Sequence, residues 1–91
     1  MSVSVRIPTI LRSYTDGASE VSADGASLAE VLDSLEQSFP GIRARILDEQ
    51  GAIRRFVNVY VGNDDVRFLD ALDTKVSDDA QISVIPAVAG G

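Results

Sequence analysis

Cysteine, histidine and tryptophan are absent from the chain, and each absence closes off some chemistry. Without cysteine there is no disulfide framework, no thiolate nucleophile and no zinc site of the Cys/His kind. Without histidine there is no Ser-His-Asp triad, and the commonest proton shuttle at neutral pH is missing. Proton transfer is left to carboxylates, arginines, two tyrosines and a single lysine, Lys75, so catalysis by this chain alone is not expected. Cations are scarce as well: 8 Lys and Arg against 14 Asp and Glu give a net charge of -6, a balance that repels phosphate backbones and anionic membranes. Nucleic acid and membrane are therefore not expected partners. The apolar N-terminal stretch is interrupted by Arg6 and Pro8, too short for a secretory h-region, and no run of about 20 apolar residues follows. A cytoplasmic location is the expectation. The sole glycine pair is Gly90-Gly91, which excludes P-loop and dinucleotide fingerprints.

What is present is the composition of a globular domain, with 45% hydrophobic and 24% charged residues. At about 150 residues per domain, 91 residues make one unit with no room for a second core. Ser2 to Ile7 alternates with period two, which puts Val3, Val5 and Ile7 on one face of a strand. Ser19 to Ala23, ahead of the Asp24-Gly25 turn, reads as its hairpin partner. Ser27-Leu28-Ala29-Glu30 is a capping box, with Glu30 expected to reach back to the Ser27 amide. The stripe Leu28, Val31, Leu32, Leu35 and Phe39 lines one side of the helix that follows, while Glu30, Asp33, Glu36 and Gln37 face water, and Pro40-Gly41 ends it. The stripe lacks the basic polar face that a membrane requires and reads as core.

Beyond the helix, Ile42, Ile46 and Leu47 can form one apolar turn, and Asp48 to Gly51 reads as a loop. Phe56 to Val61 alternates, with Val57, Val59 and Val61 on one face and Phe56, Asn58 and Tyr60 on the other. Gly62 to Asp65 reads as a turn into Val66-Arg67-Phe68-Leu69 as hairpin partner, and Ser77 to Ala80 as a turn into a last strand, Gln81 to Pro86. Two strands, a helix, then three strands predict an α+β sheet with one main helix across one face. First and last strands can pair in parallel at the centre because the helix supplies the crossover. That is a β-grasp domain over residues 1–86, with a flexible Gly-Gly tail over 87–91.

The tail, Ala87-Val88-Ala89-Gly90-Gly91, directly follows the last strand and reaches roughly 17 Å when extended. Glycine has no Cβ, so it passes a narrow channel and leaves its carboxyl carbon unshielded. An α-carboxylate, with an ordinary pKa of about 3.5, is an anion at neutral pH and a poor electrophile. Such a tail would need activation, most simply adenylation with ATP and Mg²⁺ on another enzyme, with no cofactor bound here. The tail is open to a second reading, an inert terminus of small residues. A partner-docking patch is expected where Phe56 and Tyr60 face away from the helix and Ile85 joins them, against the alternative of ordinary scattered exposure. Asp64, Asp65, Asp70 and Asp73 lack the spacing of a calcium loop and read as solvated, so no metal site is expected. Arg54-Arg55 fits a solubilising strand edge or an anionic contact.

With its element order and the run from Ile85 to Gly91, the chain resembles the ubiquitin-like sulfur carriers, a family that includes the molybdopterin-synthase small subunit and the thiamine-pathway carrier. Three stretches, Ile7 to Arg12, Arg55 to Val61 and Asp64 to Phe68, are most similar to the sulfur carriers of actinobacterial cysteine biosynthesis. The resemblance implies that an E1-like adenylyltransferase activates Gly91, which becomes a thiocarboxylate. It implies further that the sulfur attacks an aminoacrylate formed from O-phosphoserine on a pyridoxal-phosphate (PLP) cysteine synthase, and that a JAMM-type zinc metalloprotease releases the cysteine. Three alternatives stay open: the molybdopterin-synthase role, a ubiquitin-like modifier joined to lysines, and a plain binding domain with an inert tail. A chain without cysteine has no internal thiol to intercept an activated acyl group.

Overall fold

The periodicities resolve into five strands and two α-helices in a computed structural model that describes residues 2–86. They are β1 (Ser2–Arg6), β2 (Glu20–Asp24), α1 (Leu28–Ser38), α2 (Arg43–Ile46), β3 (Val57–Val61), β4 (Asp64–Asp65) and β5 (Gln81–Pro86). The sheet order is β2-β1-β5-β3-β4, with β1 and β5 parallel at the centre and the other pairs antiparallel. This is the β-grasp arrangement the element order predicts. Val3 and Val5 of β1, Ile82 and Val84 of β5, and Val57 and Val59 of β3 are buried, as are Leu28, Val31, Leu32 and Leu35 of α1. Each such aliphatic side chain contributes about 1.5–3 kcal/mol relative to exposure. Phe39 caps α1 and packs half-buried on the same core.

The start of α1 departs from the capping box in one bond. The Ser27 hydroxyl accepts from the Glu30 amide at 3.4 Å, as expected, but the Glu30 carboxylate accepts from the Ala26 amide at 3.0 Å. Backbone bonds from Leu28 to Thr74 and from Val76 to Ala26 hold this stretch extended and bring the Ala26 amide within reach instead. Gly25 is needed just before it, because a Cβ there would lie 2.7 Å from the Val31 nitrogen.

Three short 3-10 helices were not foreseen. Thr9–Thr15 fills the connection after Pro8 and buries Leu11. Val66–Phe68 replaces the expected hairpin strand, and Ala71–Asp73 follows it. The partner of β3 is instead the two-residue β4, reached through Gly62-Asn63, where Gly62 takes the positive φ of 63° that a two-residue hairpin turn of the II′ kind requires. The Asp65 carboxylate then accepts from the Arg67 amide at 2.9 Å, which turns the chain out of the strand. Of the run Val66 to Leu69, only Val66 enters the core. The open stretch after α1 forms α2 with Ile42, Ile46 and Leu47 buried, and a Leu47–Ile53 bridge closes the Asp48 to Gly51 loop.

Two polar clamps fix the elements that flank the end of β5. Glu36, expected to face water only, accepts from the Gly41 amide at 3.0 Å and from the Arg43 amide at 3.0 Å, tying α1 to α2. The Gly41 and Arg43 amide bonds, with the Arg43 charge beside them, hold the Glu36 carboxyl below the usual carboxylate value against the opposing effect of burial. Arg67 donates to Asn58 Oδ1 at 2.6 Å, to the Arg54 carbonyl at 2.6 Å and to the Val57 carbonyl at 2.7 Å, pinning the entry to β3.

Two tests follow from these clamps. Because the folded Glu36 pKa is depressed, its contribution is full above the unfolded value and vanishes as pH falls through the folded one. The melting-temperature gap between wild type and Glu36→Gln should therefore be widest at neutral pH and shrink in acid; a gap that is constant with pH would refute the assignment. Arg67→Ala should lower stability by about 1–2 kcal/mol in urea titration, and Arg67→Lys should not restore it, because an ammonium cannot span three fixed acceptors.

Candidate functional site

β5 and β3 build the region around the chain exit at Pro86. Their antiparallel register sets Val57 opposite Pro86, Asn58 opposite Ile85, Val59 opposite Val84 and Tyr60 opposite Ser83. Alternation sends Val57, Val59, Val84 and Ile82 into the core and leaves Asn58, Tyr60, Ser83 and Ile85 on the open face. Ile85 is 48% exposed and Tyr60 half-buried, and their register makes them diagonal cross-strand neighbours, a spacing of about 7–8 Å that large side chains bridge.

Phe56 reaches the surface by a different route. It precedes β3 in a turn closed by the Val57 amide donating to the Arg54 carbonyl at 2.9 Å. Its ring is 57% exposed, with the Arg55 guanidinium 6.0 Å from the ring centroid. Of the expected trio, Tyr60 and Ile85 share the open face of the sheet, while Phe56 is exposed in the turn before β3 and outside the strand. The rest of the open face, including Ser4, Arg6, Ser22 and Ser83, is polar. Ala87, Val88, Ala89, Gly90 and Gly91 lie outside the described residues.

Because β1 and β5 run parallel with Arg6 beside Ser83, the end of β1 and the 3-10 helix after it stand next to Pro86. A groove of roughly 590 Å³ opens there, with Arg6, Arg12, Ile10, Ile85 and Pro86 on its walls. Ile10, within the Ile7 to Arg12 stretch, is 63% exposed, and Phe68, expected in a strand, is 87% exposed. Exposure in 3-10 segments carries no period-two or helical signature, so no pattern announces it. The carboxylates Asp64, Asp65, Asp70 and Asp73 do not converge: among the described residues no group of three or more is placed to hold a metal ion. No helix among them is long and apolar enough to cross a membrane.

The likenesses of the chain agree with this architecture. It is 46% identical, over 100% of both chains, to the sulfur carrier protein CysO of Mycobacterium tuberculosis. Its fold superposes with a TM-score of 0.92 and 46% identity on a chain of the crystal structure of the Amycolatopsis orientalis BexX/CysO complex, covering 98% of this chain and 99% of that one. It is also 38% identical over 68 residues, 75% of this chain and 73% of the other, to small archaeal modifier protein 3 of Haloferax volcanii. The first of these relatives is a sulfur carrier protein by name, and the last a modifier protein. The ThiS family model matches residues 5–91, from Val5 in β1 through Gly91, and the chain belongs to the ThiS family of ubiquitin-like β-grasp proteins.

Proposed function

We propose that the chain is a sulfur carrier that presents sulfur as a thiocarboxylate on Gly91, with cysteine biosynthesis as its pathway. Full-length identity of 46% to a sulfur carrier protein carries the reading. A Gly91 carboxylate oxygen attacks the α-phosphorus of ATP on an E1-like adenylyltransferase, and pyrophosphate leaves with Mg²⁺. A reduced sulfur donor then adds to the acyl carbon and AMP departs, leaving sulfur where oxygen was. On the PLP-dependent cysteine synthase O-phosphoserine loses phosphate and the Gly91 sulfur takes its place on the β-carbon. The acyl group then moves from sulfur to the cysteine nitrogen, and the JAMM-type zinc metalloprotease hydrolyses the resulting amide, releasing cysteine and restoring the Gly91 carboxylate. ATP, Mg²⁺ and PLP belong to the partners; all three reactions suit a cytoplasmic setting.

The division of labour follows from the chain. Residues 1–86 are the recognition domain, Ala87 to Gly90 the spacer, and Gly91 the reacting residue. Tyr60, Ile85 and Phe56 form the docking patch, and the solved BexX/CysO complex, a carrier relative held by another protein, supports reading this fold as a docking module. The likeness to a small archaeal modifier protein favours a second reading, attachment of Gly91 to lysines of target proteins.

Intact mass separates these. Incubation with ATP, Mg²⁺, sulfide and host extract should raise the mass by the difference between one sulfur and one oxygen, in the full-length protein and not in a Gly91-deleted form. The deletion should leave cooperative unfolding unchanged, since Gly91 follows the last strand. An unchanged full-length mass in a demonstrably active extract defeats the carrier reading, and a ladder of larger conjugates on a blot favours the modifier. Phe56→Ala and Ile85→Ala should each weaken binding to the adenylating enzyme about tenfold or more, in the range of interface anchors, with little loss of stability; unchanged affinity removes the patch.

A further inference from the structure

Charge is unevenly distributed along the strands. Arg6 and Arg12 line the groove of roughly 590 Å³ beside Pro86. Arg45 and Arg54 line a second cleft, of roughly 170 Å³, that also reaches Pro86. Arg55 flanks Phe56 in the adjoining turn, and Arg67 bonds to Val57, the residue paired with Pro86. Six of the 8 Lys and Arg residues therefore gather at the end of the sheet where β5 stops, in a chain of net charge -6. Glu20 is the one carboxylate lining either of these two clefts among the described residues, and it accepts from Gln81 at 3.1 Å. On its other side Arg54 borders a cleft lined by Glu36, Asp48 and Glu49, which Arg6, Arg12, Arg45 and Arg55 do not share. The opposite end holds Asp24, Asp78 and Asp79 around Ser2, with Asp64 at the β3–β4 hairpin beyond.

Half of this cationic group has structural work. Arg12 donates to the Ile7 carbonyl, Arg54 to that of Ala44, and Arg67 to the three acceptors above. Arg6, Arg45 and Arg55 are exposed and make no side-chain hydrogen bond or ion pair among the described residues. Guarding a sheet edge, the usual reason for a strand arginine, does not explain Arg6, because β1 lies between β2 and β5.

Resting on the carrier reading, we infer that these arginines form a cationic collar around the exit of the tail, and that it docks on a partner whose tail-accepting mouth is rimmed by aspartate and glutamate. The net negative charge does not oppose this. At physiological salt the screening length is about 8 Å, shorter than any extent of the 34 × 29 × 24 Å domain, so a partner at the Pro86 end feels the collar and not the distant aspartates. The collar orients the encounter so that the Pro86 end of the domain arrives first.

The probe is association kinetics with the E1-like adenylating enzyme of the same organism, at low and high NaCl. The wild-type association rate should fall about tenfold as salt rises, within the range of electrostatic steering. A variant carrying Arg6→Glu, Arg45→Glu and Arg55→Glu should associate about tenfold more slowly at low salt and lose most of the salt dependence, with dissociation little changed. The milder Arg→Gln set should fall between, and Asp24→Arg with Asp78→Arg at the far end should leave the rate within about twofold. A salt-independent wild-type rate, or equal and opposite effects from the two ends, overturns the collar while thiocarboxylate formation stands. Absence of both binding and thiocarboxylate formation sinks the carrier reading itself.

Discussion

Parallel pairing of β1 with β5 is the constraint on which the rest of the structure depends. Two parallel neighbours cannot be joined by a hairpin, so everything between Arg6 and Gln81 must cross the sheet and return. α1 makes that crossing, and its buried stripe Leu28, Val31, Leu32 and Leu35 belongs to one core with Val3 and Val5 of β1, Val57 and Val59 of β3 and Ile82 and Val84 of β5. The same pairing puts the ends of β1 and β5 side by side, which is why Arg6, Arg12 and Ile85 line one groove at Pro86. Glu36 and Arg67 then lock the two segments that flank that meeting point, one by joining α1 to α2 and the other by holding the turn before β3.

The side-chain chemistry of the domain is spent on shape and recognition. No cysteine or histidine is present, and the carboxylate with a resolved perturbation, Glu36, is occupied by backbone amides. On the carrier reading proposed above, such a composition leaves an activated acyl group no internal thiol to meet. The asymmetry of charge along the strands gives the domain two unlike ends.

Where a regular period meets a buried face, the fold was legible. Val3 and Val5, the α1 stripe, and Ile82 with Val84 are each placed by alternation or helical spacing, and the central parallel pair follows from element order alone. What escaped was aperiodic or decided at a distance. The 3-10 segments have too few residues to establish a repeat, so Val66 to Phe68 looked like a strand. Phe56 continues the alternation of β3 in sequence, yet the Arg54–Val57 turn takes it out of the sheet. Glu30 bonds one amide earlier than local rules suggest because residues 74–76 pin the backbone from across the fold. Of the site, Tyr60 and Ile85 were readable from strand pattern; the gathering of arginines from six separate positions was not, since only the folded topology brings them to one end.

The central position of β5 also bears on how the protein is made. The strand completing the middle of the sheet is the last one among the described residues, so its pairing with β1 joins segments about 75 residues apart, a non-local topology that folds slowly compared with local ones. A polypeptide cut short before Gln81 lacks the strand that joins β1 to β3, and neither half of the sheet is then fastened to the other. An incomplete copy accordingly has neither the assembled open face nor the strand end where the arginines gather.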